Sequence, residues 1–214
     1  MKRFMYLSML IPSFTEASIA GMMQRLEDRG QQMKEQGLVT CSLFQLDQWI
    51  CTYLESEDGS QQLPWEEIAE GWLERWPSPA GPCLAVRMPD IYHDGVPMDR
   101  QSWRDGRTIE RRVGSLARLK SEYVSSYVFY HYQVQEEKPE HFNKTYTIGL
   151  YDGLIFSYAE HPSVVSRVKP QGKLSTSNTP ANWHEVMEPH FDHWTDASGE
   201  RTPWRPMRHL ITIE

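Results

Sequence analysis

The sequence predicts an α+β protein of two related halves, each an antiparallel sheet covered by helices. Three observations carry that expectation. Short apolar runs of strand length alternate with amphipathic runs of helical period. Residues 46–55 and 151–160 line up position by position, as LDQWICTYLE against YDGLIFSYAE. Each of these segments is followed by a tryptophan-rich amphipathic run, 65–76 and 183–194, and then by an apolar strand.

The first half reads in order. Residues 5–11 form a continuous apolar run of strand length, closed by Pro12. Ser13 and Glu16 have capping-box spacing, so a helix should start there and present Ile19, Met22, Met23, Leu26 and Met33 on one side. Gly37 is a natural stop, because glycine accepts the left-handed conformation that ends many helices. Strands are expected over 39–46 and 49–55, joined through Asp47-Gln48. Pro64 can open a second helix whose buried side is Trp65, Ile68, Ala69, Trp72, Leu73 and Trp76. Gly81-Pro82 resets the chain before a strand at 83–89. Strand–helix–strand–strand–helix–strand is the split βαβ order of ferredoxin-like folds.

The second half is expected to repeat this pattern with one departure. Asp152-Gly153 suits a type I′ hairpin. Asn182 and Glu185 can cap the later helix, and 207–213 reads as its closing strand. Residues 123–135, rich in Tyr, Val and Phe, read as the long first strand, while 136–144 is too short and charged for the matching helix. A helix at 108–120, with Ile109, Val113, Leu116 and Leu119 inward, would supply the missing layer. The expected halves are 1–93 and 107–214, joined by the Gly- and Pro-containing connection 94–106. Residues 162–180 read as a mobile loop or lid.

Composition limits the function. The 214 residues include 39% hydrophobic and 24% charged side chains, enough for a buried core. A net charge of −7 speaks against nucleic acid as a partner, since phosphate binding needs a positive field. Three cysteines without metal-ligand spacing suit a reducing, cytoplasmic setting. The apolar run near the N-terminus is too short and too soon interrupted for a signal peptide, and nothing approaches the ~20 apolar residues of a membrane helix. Eight tryptophans serve cores and interfaces, and also line carbohydrate, haem and aromatic-ligand clefts.

Histidines carry the candidate chemistry. His190 falls on the buried side of the last helix, where the first half has Trp72; there it could act as acid, base or ligand, or simply bond a backbone carbonyl. Strand alternation over 127–133 puts His131 with Tyr127, Phe129 and Gln133 on one face, and Tyr130 with Tyr132 on the other. Those rings could line a cleft or dress a sheet–sheet contact. His209, on the terminal strand, should approach His131 if their strands pair. Trp183 would wall the same cleft. His184 with Glu188 reads as a surface pair, and Glu136-Glu137 as a solvated face.

On residues 4–11, Gln24-Arg25-Leu26, the hairpin 46–55 and the 65–76 segment, roughly the first 90 residues resemble the dimeric α+β-barrel superfamily, most nearly its L-rhamnose mutarotase branch. The resemblance implies two ferredoxin-like halves fused in one chain, or a homodimer. It also implies anomer interconversion in a cleft between sheet and helices. That branch uses a histidine on the first helix, and the first predicted helix here has none. The chain is also similar to chlorite dismutase-like haem proteins, which would make His190 an axial ligand. The leading expectation is a small-molecule-binding protein, an isomerase-type enzyme for a sugar or polar metabolite, with His131 or His190 carrying the proton. Tyr130, Tyr132, Trp183 and His209 would bind the ligand. The alternatives are a non-enzymatic assembly protein and a haem protein, and the sequence assigns no cofactor.

Overall fold

Asp47 and Asp152 both adopt left-handed φ, 51° and 46°, and each turns the chain between two antiparallel strands, so the aligned segments are hairpins in register. The computed structural model describes residues 1–59, 63–104, 106–137, 143–165, 172–195 and 199–214. Along the chain run β1 (Lys2–Met9), α1 (Glu16–Glu35), β2 (Leu38–Leu46), β3 (Trp49–Ser56), α2 (Trp65–Ala69), β4 (Val86–Met88), β5 (Asp90–His93) and α3 (Arg100–Arg104). There follow β6 (Arg111–Arg118), α4 (Val124–Glu137), β7 (Thr147–Tyr151), β8 (Leu154–His161), α5 (Trp183–Met187), β9 (Trp194–Thr195), β10 (Arg201–Thr202), β11 (Trp204–Pro206) and β12 (Arg208–Ile213). The protein is α+β, with antiparallel sheets. No helix among the described residues is long and apolar enough to cross a membrane.

The chain divides into two units. Unit 1 comprises Met1–Met88, Pro97–Arg107 and Arg208–Glu214, and its sheet runs β12-β2-β3-β1-β4. Ile19, Met22, Leu26 and Met33 of α1 pack with Cys41, Leu43, Ile50 and Leu54 of the sheet, as their helical spacing requires. The helix begins at Thr15 rather than Ser13, in a reciprocal capping box with Ser18. The second helix is far shorter than expected. It ends at Ala69, and Gly71 takes φ 82°, so Trp72, Leu73 and Trp76 lie beyond it on irregular backbone.

Glu55 follows Leu54 on β3 and so faces away from α1 and α2. Its carboxylate is wholly buried. Oε1 accepts from Tyr53 Oη at 2.5 Å and Trp103 Nε1 at 2.8 Å, and Oε2 accepts from Arg104 Nη1 at 2.8 Å. Two of those donors belong to α3, so this one carboxylate pins the short helix to the sheet. Arg100 adds a bond to the Leu38 carbonyl at 2.9 Å.

Unit 2 comprises Pro89–Val96 and Thr108–Met207, with sheet order β11-β6-β8-β7-β5. This is the order of unit 1 with β6 in the place of β1 and β5 in the place of β12. The correspondence extends to single backbone bonds. Leu10 donates to Gln48 O at 2.8 Å, as Leu119 does to Gly153 O at 2.8 Å. Ile11 donates to Trp72 O at 3.0 Å, as Lys120 does to His190 O at 2.9 Å. Glu74 donates to Met9 O at 2.7 Å, as Asp192 does to Arg118 O at 2.9 Å. The two edge strands carry bulges at matching places, between His209 and Ile211 and between Asp90 and Tyr92.

Two expected elements are interchanged. Residues 111–118 are a strand, not part of a helix, and show the same order of exposed and buried positions as β1. The three- and four-residue spacing of Ile109, Val113, Leu116 and Leu119 fits a helix by coincidence; the Arg111-Arg112 pair echoes Lys2-Arg3 in β1 instead. Residues 124–137 are a helix, not a strand. Tyr, Val and Phe favour strands only as half-buried surfaces, and here packing overrides that preference. Tyr127, His131 and Val134 recur at i, i+4 and i+7 and form the buried side.

Candidate functional site

In unit 2, α4 carries His131, and the 3-10 turn Glu188–His190, which follows the short α5 in place of the expected continuous helix, carries His190; together they bring two histidines to one aromatic centre. His131 is 5% exposed and His190 is 4% exposed. The Tyr127 ring lies between them, 4.1 Å from His131 and 5.9 Å from His190, centroid to centroid. Trp183, the first residue of α5, meets His131 edge-on at 5.1 Å, and Tyr92 of β5 does so at 5.7 Å. Tyr130 stands edge-on to His190 at 5.9 Å.

The two imidazoles are held differently. His131 Nδ1 lies 2.9 Å from the Tyr127 carbonyl one turn back on its helix. A carbonyl only accepts, so Nδ1 carries the proton and Nε2 presents a lone pair, with no hydrogen bond among the described residues. Burial lowers the pKa of His131 to about 4, with His190 adding to the effect and the Tyr127 carbonyl opposing it. His131 is thus neutral at pH 7. His190 uses both nitrogens: Nδ1 faces the Met187 carbonyl at 3.2 Å, and Nε2 faces Ser126 Oγ at 2.9 Å. Ser126 also reaches the Tyr123 carbonyl at 3.0 Å, so its single proton has two acceptors to choose between.

Burial raises the phenols of Tyr127 and Tyr92 well above their usual range and takes Tyr146 up to about 12. At neutral pH His131 and these three phenols therefore carry no charge. The centre offers flat ring faces, neutral hydroxyls and one bare imidazole nitrogen.

Unit 1 shows what the same scaffold does without histidine. Trp72 occupies the backbone position of His190, as the shared carbonyl bonds establish. The Trp72 ring lies against Gly21 with Arg25 above it at 4.2 Å; the His190 ring lies against Ser126 and Tyr130. Gly21 thus corresponds to Ser126 and Arg25 to Tyr130, and one residue further along each helix Leu26 corresponds to His131. Leu26 is fully buried in the apolar core. Where one unit packs leucine and tryptophan, the other places two imidazoles.

His131, His190, Tyr130 and Trp183 thus come together, although the reasoning that linked them assumed a strand. Tyr132 does not join them: it is 45% exposed on the outward side of α4. His209 does not pair with the segment carrying His131, because that segment is helical. It stands on β12 in unit 1, against Phe44 at 5.1 Å and Thr212 Oγ1 at 2.9 Å. Glu188 pairs with His193 at 2.6 Å rather than with His184. The sequence reading missed Ser126 and Tyr92; the serine could have been found by matching Gly21 to it across the repeat, whereas nothing marks Tyr92. His141 and part of the expected 162–180 loop lie outside the described residues. Among those residues, no group of three or more His, Cys, Asp and Glu is placed to hold a metal.

A cavity of about 390 Å³ lies in unit 1 among Tyr6, Leu63, Trp65, Pro82, Cys83 and Leu84, none of which the sequence marked as a site residue. Cys83 is half-buried there, whereas Cys41 and Cys51 are wholly buried, with thiol pKa values pushed up by desolvation. One thiol per native chain should therefore react with a disulfide reagent such as dithionitrobenzoate, and all three after denaturation. Native reaction of more than one would contradict the burial of β2 and β3.

No family model matches the chain, and no curated protein matches it significantly. A protein of Fusobacterium nucleatum, provisionally named a monooxygenase, matches in structure with 8% identity and a TM-score of 0.45, over 99% of this chain and 93% of that one. A likeness so distant transfers no activity. What fold and site define is an α+β protein on antiparallel sheets with a buried histidine–aromatic centre on one of them.

Proposed function

We propose that this chain binds a small polar metabolite, a sugar or a similarly hydroxylated ring, at the His131–His190 centre of unit 2. The observation that carries the reading is the replacement of Leu26 and Trp72 by His131 and His190 on an otherwise matching backbone. Burying an imidazole costs free energy that leucine does not, so a purely structural role gives no reason for the exchange. His131 Nε2 would accept a ligand hydroxyl, while Trp183 and Tyr130 supply ring faces. Tyr132 and His209 stand apart from that centre and would bind no ligand there. An isomerase of the mutarotase type is the finer form of this reading, on two ferredoxin-like halves, which the matching strand orders within the two units support. For proton transfer at neutral pH, His131 is a weak base, since a carrier works best with a pKa near the working pH. Its role would be hydrogen-bond acceptor, with the Ser126–His190 pair as proton relay. A haem ligand at His190 would have to break the Ser126 bond.

A second reading, an assembly protein, is favoured by a different observation: Phe129 and Tyr132 are 60% and 45% exposed on the outward side of α4. Thermal-shift screening of sugars and polar metabolites separates the two. A ligand at a hundred times its Kd adds about 2.7 kcal/mol, or about 5–10 °C for a chain of this size. The expected result is such a rise for wild type that shrinks in His131→Leu, which restores the residue of unit 1. A panel without any shift, or a shift that His131→Leu leaves intact, would remove the ligand site from this centre. Anomer exchange followed by NMR then tests the mutarotase form.

A further inference from the structure

Glu136 and Glu137 close α4 at its C-terminal end, where the helix dipole disfavours negative charge and the last turn holds no basic residue of its own; Lys173, from outside the helix, pairs with Glu136 at 3.6 Å. They are not a solvated face. Glu137 Oε1 accepts from Thr176 Oγ1 at 2.6 Å and the Asn178 amide at 2.8 Å. Its Oε2 accepts from the Thr179 amide at 2.7 Å and from Thr179 Oγ1 at 2.5 Å. Gln133 adds a fifth donor at 3.2 Å. Desolvation works against the charged form, but these donors outweigh it and hold the Glu137 pKa at about 2. The Glu136 carboxylate accepts from the Lys173 amide at 3.1 Å, and its carbonyl from the Leu174 amide at 3.2 Å. At Gly172 the backbone approaches so closely that a Cβ would lie 1.7 Å from the Glu136 carbonyl oxygen. Only glycine fits there.

One carboxylate thus collects four bonds from a stretch of three residues, 176, 178 and 179. That stretch continues through Pro180, Ala181 and Asn182 directly into Trp183, whose ring meets His131 edge-on at 5.1 Å. We propose that residues 172–180 form a lid strap for the His131 centre, held shut by the Glu137 carboxylate and released when that carboxylate loses its donors. The proposal rests on the ligand site argued above and supplies its gate. Trp183 is the ring that meets His131 edge-on, and the strap is the chain segment that fixes where Trp183 begins.

Limited trypsin digestion of the full chain tests the latch, because the Lys173 side chain is 79% exposed while its backbone is bonded to α4. In Glu137→Ala, the initial rate of cleavage after Lys173 should rise about tenfold or more, with other tryptic sites unchanged. Carbethoxylation of His131 by diethylpyrocarbonate, located by mass spectrometry, should rise several-fold in parallel. Thr179→Val, which keeps the amide donor and loses only the hydroxyl, should give smaller rises in both and covers the case in which Glu137→Ala does not fold. Unchanged cleavage after Lys173 in the variants overturns the latch. Faster cleavage with unchanged His131 modification overturns the lid, as does a uniform rise at every tryptic site in Thr179→Val. No ligand enters this experiment, so its failure and that of the binding site are told apart.

Discussion

Glu55→Ala is expected to remove about 3–5 kcal/mol of folding stability, a large share of what a domain of this size possesses. The carboxylate is wholly buried and bonds Tyr53, Trp103 and Arg104 at once. Its loss removes the counter-charge that Glu55 places 2.8 Å from the guanidinium of Arg104, whose side chain is 15% exposed. It also strips two neutral donors of their acceptor, each costing about 1–3 kcal/mol when stranded. Glu55→Gln keeps one oxygen for Tyr53 and Trp103 but not the charge opposite Arg104, so its cost should be smaller, about 2 kcal/mol. Urea unfolding of the two variants measures both figures. A loss below about 1 kcal/mol for Glu55→Ala would show that α3 is not held to β3 through this carboxylate.

The second large effect is a loss of stability on mild acidification, traceable to His131. Its pKa is about 4 when folded and 6.5 in an unfolded chain. Between those values the unfolded chain binds the proton and the folded one does not. Stability therefore falls as pH drops from about 6.5 to about 4 and levels off below. The full difference corresponds to about 2–4 kcal/mol. Glu137 acts in the same direction but lower, between the ordinary carboxylate range and about 2, so the two windows separate. Urea titrations at pH 7, 5.5 and 4 should show wild type weakening across this range and His131→Leu weakening much less. Equal slopes in both proteins would mean that His131 is not buried in neutral form.

The first half was readable from sequence because its apolar positions follow one period at a time. Ile19, Met22, Leu26 and Met33 fit only a helix, and the Asp47 turn only a hairpin. The second half was harder for an identifiable reason. Tyr127 to Gln133 satisfies alternation and helical spacing together, and β6 has too few large apolar residues to announce a strand. Composition cannot decide between two periods that both fit; the neighbours decide. Four of the six candidate site residues nevertheless meet, since His190 was located by its likeness to Trp72, and that likeness survives in the backbone bonds. Helix length behaved differently again. The tryptophans at 65, 72 and 76 have helical spacing, yet Gly71 at φ 82° breaks the helix while leaving Trp65 and Trp72 packed against the apolar core.

The placement of β12 has a consequence for synthesis. It is the edge partner of β2 in unit 1, yet it leaves the ribosome long after the rest of that sheet. Until then the nascent first unit carries an open β edge along Cys41–Gln45, able to pair with any extended chain nearby. The chain must therefore protect a half-finished sheet through most of its own translation, and crowding by sibling chains on one messenger would be its most dangerous moment.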